Sequence, residues 1–149
     1  MLTLTIIRNG SILNSSCDTI VNPINCVGVM GKGLALELKN KFPNMFERYV
    51  NLCKNNLIEI GKLWLYCDVE SDKKILNFPT KKHWKEDSKY EYIELGMEKF
   101  VLTYKDKGIK NIAFPMIGCG NGNLDKEKVL SIITKHLFKC DDIIVEIYF

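Results

Sequence analysis

Strand-like and helix-like segments alternate along this chain from its first residues to its last, and that alternation narrows the fold more than any other feature. "LTLTIIR" (Leu2 to Arg8) has the two-residue period of a strand, and Asn9-Gly10 supplies a turn. "DTIVN" (Asp18 to Asn22) reads as a second short strand. In "LALELKNKF", Leu34, Leu38 and Phe42 recur every four residues and mark a helix face. Pro43 suits the first position of a next helix, with Phe46, Tyr49, Val50 and Cys53 along one side. "KLWLYC" and "KILNF" read as strands joined by the polar turn Asp68 to Asp72. "SKYE" predicts a capping box, in which Ser88 accepts from the Glu91 N–H and Glu91 reaches back to the cap. Ile93, Met97, Phe100, Val101 and Tyr104 follow on one helix face, and Gly108 stops it. "NIAFP" is a further strand, Asp125 an N-cap for "KEKVLSIITKHLF", and "IIVEIYF" a last strand. The pattern predicts an α/β protein whose mixed, mostly parallel sheet is covered on both faces. In such folds ligands gather at loops beyond the carboxyl ends of the strands.

A chain of 149 residues is expected to form one domain, residues 1–149, with a sizeable core. Its start lacks the basic and apolar regions of a signal peptide, and no apolar run approaches the ~18 residues of a membrane span. A cytoplasmic monomer with no membrane partner is the expectation. The six cysteines form no C-x-x-C pair and accompany only two histidines, so zinc spacing is absent and reduced thiols fit better than a disulfide framework. No metal and no cofactor are expected. The formal charge of +3 says little, but its distribution says more. Between Lys73 and Lys89 six lysines face only Glu86 and Asp87, which favours an anionic ligand or a solvated surface.

Three loops stand past the predicted strands: "NPINCVGVMGKG" (22–33), "PTKKHWK" (79–85) and "PMIGCGNGN" (115–123). The first and third are glycine-rich and lead toward helix N-termini, where free N–H groups favour phosphate. Either alone is equally well a turn; two of them beside a basic third point to an anionic ligand. Two familiar nucleotide motifs fail. A P-loop ending at Gly31-Lys32 would need glycine at Cys26 and a hydroxyl at Gly33. The dinucleotide pattern begins at Gly118 and Gly120 but meets Asn123 at its last position.

"VNPINCVGVMGKGLA", "FPTKKHW" and "FPMIGCGNGNLD", in this order across the chain, resemble the macrodomain family. The similarity is to the branch holding terminal ADP-ribose protein glycohydrolase and the antitoxin that removes ADP-ribose from DNA. It implies a three-layer α/β/α macrodomain around a central mixed sheet, binding ADP-ribose and ADP-ribosylated DNA or protein. The activity implied is metal-independent hydrolysis at the anomeric carbon of the distal ribose. In this branch the lysine after the threonine of the "TK" pair is catalytic, which places the role on Lys81. Its amine would attack the opened distal ribose and pass through a covalent intermediate. That step needs a neutral amine, and an ordinary lysine is neutral in about 1 molecule in ~2,500 at pH 7. A neighbouring cation such as Lys82 and partial burial would both favour the neutral form.

The resemblance implies ligand contacts from Ser11 and Ile12 after the first strand and from Asn22, Asn25, Met30, Gly31 and Gly33 in the first loop. It implies further contacts from Thr80 beside the lysine and from Pro115, Ile117, Gly118, Cys119, Gly120 and Asn121 in the third loop. Cys119 reads as a small buried residue, not as a nucleophile. Two positions depart from the family pattern. Where the family has G-D-[IL], with the aspartate on the adenine amino group, this chain has Gly10-Ser11-Ile12. Where the protein-directed enzyme has an aspartate two residues after "GCG", this chain has Gly122. The missing acid resembles the DNA-directed antitoxin.

The leading expectation is therefore an ADP-ribosyl glycohydrolase acting on a thymidine-like DNA base, a protein glutamate or aspartate, or both. The alternative is a non-catalytic ADP-ribose reader. A nucleic-acid-binding domain using the basic loop is a third reading. Trp84 suits either stacking on a base or adenine or local packing, and His83 either acid catalysis or exposure. His136 is expected to be structural, and Asp141-Asp142 to form an exposed turn.

Overall fold

The computed structural model describes residues 1–149. Its strands are β1 (Leu2–Ile7), β2 (Thr19–Asn25), β3 (Trp64–Cys67), β4 (Lys74–Lys81), β5 (Asn111–Pro115) and β6 (Ile143–Tyr148). Its helices are α1 (Gly33–Lys41), α2 (Pro43–Lys54), α3 (Tyr90–Thr103) and α4 (Lys126–Leu137). Short 3-10 turns follow β1 at Ile12–Asn14 and β5 at Gly120–Gly122. The six strands form one sheet in the order β1-β6-β5-β2-β4-β3. Every neighbouring pair is parallel except β3 against β4.

Alternation along the strands builds two cores, one on each face. Val21, Leu76 and Phe78 point to one face and pack with Ile93, Met97 and Phe100 of α3 and Val129, Ile133 and Leu137 of α4. Their chain neighbours Ile20 and Ile75 point to the other, where Leu38 of α1 and Met45 and Tyr49 of α2 meet them. The result is the expected three-layer α/β/α sandwich. Each fully buried Leu, Ile or Phe here contributes about 1.5–3 kcal/mol relative to exposure. Gly96 has a specific purpose in this packing. A Cβ built on it would lie 2.1 Å from Phe78 Cζ, so only a glycine lets α3 seat on that ring. Asn22 and Asn77 sit side by side in β2 and β4. The Asn22 amide donates to Asn77 Oδ1 at 3.1 Å, and Asn22 Oδ1 is buried with no partner.

Three expectations change. "NPIN" is not loop: β2 runs on to Asn25, and β4 runs through Pro79 and Thr80 to Lys81. Pro23 is tolerated because the ladder to β5 ends at Ile20, leaving only β4 beside it. The capping box also does not form. Helix α3 starts at Tyr90 with Lys89 as N-cap and no side-chain cap, because the Ser88 hydroxyl donates instead to the Thr80 carbonyl. Asp125 does cap α4, accepting from the Lys128 N–H at 3.0 Å. On the helix face Ile93 to Tyr104, Ile93, Met97, Phe100 and Tyr104 are buried as expected and Val101 is partly buried.

No helix is long and apolar enough to cross a membrane. All six cysteines are unpaired thiols.

Candidate active site

Because β2 lies between β5 and β4, their carboxyl ends bring the three loops side by side. β2 parts from β5 after Ile20, and above that parting opens a cleft of about 690 Å³. Its walls are the first glycine loop with the start of α1 (Val29, Gly31, Lys32, Gly33, Leu34, Ala35), the basic segment (Thr80, Lys81, Trp84, Lys85, Asp87) and the turn after β5 (Pro115, Met116, Gly118 to Asn123). Pro23, Ile24 and Asn25 form the floor. The glycine loops approach each other across it: a Cβ on Gly33 would lie 4.0 Å from Asn121 Nδ2. Gly33, Gly118 and Gly120 all hold positive φ, which keeps side chains off these walls.

Asn25 organises the first loop. Its amide donates to the Val29 carbonyl at 2.7 Å, and its Oδ1 accepts from the Val27 N–H at 3.0 Å. The Tyr49 hydroxyl, fully buried on α2, lies 2.7 and 2.8 Å from the backbone and side-chain oxygens of Asn25 and donates there. Asn25 thus spends much of its hydrogen-bonding capacity on the loop that a ligand would touch. Burial pushes the thiol of Cys26, next along, up to about 11, so it is no nucleophile at neutral pH.

Lys81 is aimed by an irregularity in its strand. Ile24 pairs with Pro79 but Asn25 pairs with Lys81, so Thr80 is an extra, unpaired residue. Regular alternation would put Lys81 on the face of Ile75; the slip turns it toward the loop after β5. A Cβ built on Gly122 would lie 4.0 Å from Lys81 Cε. The Lys81 ammonium donates to the Trp84 carbonyl at 3.3 Å. Three contacts stitch this segment to the turn after β5. Ser88 N–H donates to Gly122 O at 3.0 Å, Asn123 Nδ2 to Asp87 Oδ1 at 2.6 Å, and Asp125 N–H to the Tyr90 hydroxyl at 3.0 Å.

Lys82 does not face Lys81. Consecutive residues leave a strand end on opposite sides, and the Lys82 ammonium stands over the Tyr92 ring, 5.8 Å from its centroid and off the cleft wall. The other lysines lining the cleft are Lys32 and Lys85, both exposed. Cys119 lines the cleft too, with burial raising its thiol above the ordinary range. Of the basic side chains on the walls, Lys81 alone is partly buried.

Of the residues expected at the ligand, Asn25, Gly31, Gly33, Thr80, Lys81, Pro115, Gly118, Cys119, Gly120 and Asn121 line the cleft. Met30 and Ile117 are rooted in the two cores beneath their loops, and Asn22 is buried in β2. Ser11 and Ile12 lie on the turn after β1; Ile12 packs on the α1/α2 core and neither lines the cleft. Lys32, Asp87, Gly122, Asn123 and the buried Ser88 join the site without having been read as ligand contacts. For Gly122 the spacing after "GCG" was the available signal. For Ser88 there was none, because a serine just before a helix looks like a cap.

His136 is buried on α4, its Nε2 2.7 Å from Glu94, and far from this chemistry. Asp141 and Asp142 form an exposed turn, with Asp142 at positive φ.

Comparison with known proteins agrees with this geometry. The pattern of the Macro domain matches residues 21–133. A DNA ADP-ribosyl glycohydrolase of Mycobacterium tuberculosis is 39% identical over 142 residues, covering 94% of this chain and 40% of that relative. The chain thus spans well under half of that relative's length. Among solved structures, the macrodomain of Mycobacterium tuberculosis DarG superposes with a TM-score of 0.91 at 38% identity, covering 99% of this chain and 97% of that one. Thermosipho africanus DarTG in complex with ADP-ribose superposes at 0.92 and 36% identity, covering 98% of this chain and 41% of that one.

Proposed function

The chain belongs to the Macro domain family, and from that membership we propose that it is an ADP-ribosyl glycohydrolase that frees ADP-ribose from a modified DNA base, with Lys81 as nucleophile. The observation that carries the reading is the placement of Lys81. A one-residue slip in β4 delivers its amine to the point where the basic segment meets the turn after β5, inside the cleft. The two glycine loops supply backbone donors for a diphosphate on either side.

The distal ribose of ADP-ribose is then held with its anomeric carbon against Lys81. As the ribose ring opens, its oxygen leaves the anomeric carbon and takes up a proton; the neutral amine attacks that carbon, a C–N bond forms, and the bond to the acceptor breaks. Its electron pair leaves with the acceptor, which takes up a proton. Water hydrolyses the lysine adduct and returns the amine with free ADP-ribose.

Two facts support a nucleic-acid acceptor over a carboxylate. Relatives 36% and 39% identical to this chain are named DNA ADP-ribosyl glycohydrolase. Gly122, packed so that a Cβ would lie 3.0 Å from Ser88 Cβ, also leaves no acid beside Lys81 Cε, which fits the resemblance to the DNA-directed antitoxin.

The test compares wild type and Lys81→Ala on a thymidine-ADP-ribosylated oligonucleotide and a glutamate-ADP-ribosylated protein, scoring released ADP-ribose by chromatography. Release from the oligonucleotide by wild type alone, with ADP-ribose binding kept in Lys81→Ala, is expected. Binding without release from either substrate would make the protein an ADP-ribose reader.

A further inference from the structure

We propose that Trp84, with Lys85, is a stacking platform for a nucleotide flanking the modified base in a single-stranded DNA substrate; this rests on the DNA-base reading above. Trp84 is a large aromatic left 47% exposed on the wall of the cleft. An indole is costly to leave in water and is well shaped to cover a base.

Its setting is that of a nucleic-acid contact. The His83 ring lies 5.5 Å away at 31°, and the Lys85 ammonium stands 5.1 Å from the indole centroid. The flexible stem of Lys85 can swing from the ring to a phosphate one step along the strand. Around Trp84 the lysines at 81, 82, 85 and 89 outnumber Glu86 and Asp87, and the Asp87 carboxylate is occupied by Asn123. The local field therefore favours a polyanion.

Distance fixes which nucleotide is meant. The Trp84 carbonyl accepts from Lys81 Nζ at 3.3 Å, so the backbone that carries the indole stands beside the nucleophile. Three residues of chain span at most about 11 Å, which keeps the indole within a nucleotide or two of the attacked base. A base inside a duplex has both faces covered by its neighbours, so only an unpaired strand can offer one to the indole. Stacking tolerates any base and sets no strict sequence requirement beyond the modified position.

The experiment measures kcat/KM on two substrates: the modified nucleotide within a ten-nucleotide single strand, and the same modified nucleoside free. Wild type is expected to prefer the oligonucleotide. Trp84→Ala should cut that preference about 5- to 150-fold, the range for losing one base–aromatic stack, and Trp84→Phe should restore most of it. Lys85→Ala should lower the salt dependence of oligonucleotide binding by about 0.7 in log–log slope. Equal losses on both substrates in Trp84→Ala would assign the indole to ADP-ribose or to packing, and would overturn the proposal, as would no loss.

If wild type frees ADP-ribose from neither substrate, the DNA-base reading itself has failed. The platform is then decided by fluorescence. The chain has two tryptophans, and Trp64 is packed against Tyr66 at 6.2 Å. In Trp64→Phe, quenching of Trp84 by an unmodified single strand and not by a duplex would uphold it. No quenching, or equal quenching by both, would refute it.

Discussion

The hydroxyl of Ser88 donates to the carbonyl of Thr80, and both residues are buried at the edge of the cleft. Thr80 is the residue that β2 leaves unpaired, so Ser88 completes what the ladder cannot. The bond holds the backbone one peptide away from Lys81.

Ser88→Ala should therefore disturb the aim of Lys81 more than the binding of ADP-ribose. A displacement near 1 Å is enough to cost ~100-fold in rate, so a fall in kcat of about tenfold or more is expected, with Kd for ADP-ribose within about threefold. Single-turnover kinetics beside calorimetry would check it. A parallel loss of binding and melting temperature would show that Ser88 only stabilises the fold.

Tyr49→Phe removes the hydroxyl that reaches Asn25 from α2. The variant should lose about 1 kcal/mol of stability, and its first glycine loop should loosen. ADP-ribose affinity is expected to drop about 5- to 10-fold, read by calorimetry, while the rate from the bound state changes little. Unchanged affinity would mean that the loop holds its shape without Asn25 being anchored.

Gly96→Ala tests the packing of α3. The new methyl would meet the ring of Phe78, which is fully buried and has no space to yield. Overpacking of this kind costs about 1–3 kcal/mol, so the midpoint of urea unfolding should fall with its slope unchanged. A melting temperature equal to wild type would show that helix and sheet can part slightly at no cost.

Acid stability should depend on Ser15. Its hydroxyl donates to the Glu146 carboxylate at 2.6 Å, Tyr148 donates to the same oxygen at 2.9 Å, and the Ser15 bond is the main reason Glu146 titrates below the ordinary glutamate value. A depressed carboxylate contributes stability that is full above its unfolded pKa and is lost as pH falls through the folded one. Ser15→Ala should be less stable than wild type at pH 7, and the gap should shrink as pH drops below about 4.3. Melting curves between pH 3 and 7 would show it. A constant gap would place the effect of Ser15 in its bond to the Cys17 N–H, 3.1 Å away.

Much of this molecule was legible because local physics and global packing agree in it. The period of Ile93 to Tyr104, the cap at Asp125 and the apolar run of "NIAFP" each mean the same thing alone and in the fold. The strand ends depart from the sequence pattern where prolines stand, at Pro23 and Pro79. A missing N–H argues against a strand only if a neighbour needs it, and that depends on which strand lies alongside. Ser88 has the local pattern of a helix cap, but its partner, Thr80, lies on another element. The glycines lining the cleft could be seen in the chain, whereas the turning away of Lys82 could not, since it depends on where Tyr92 stands.

The unpaired Thr80 gives this strand a parity. Before it, even-numbered side chains such as Leu76 and Phe78 share one face and Ile75 takes the other. After it, the count is shifted by one, and an odd-numbered lysine finds itself on the even side. Deleting Thr80 would keep every charge, every glycine and the sequence that follows the lysine, yet the amine would emerge on the wrong face of the sheet. The placement of Lys81 is thus defined by a miscount as much as by its chemical identity. A related chain with a lysine in similar company is equivalent to this one only if it carries the same extra step.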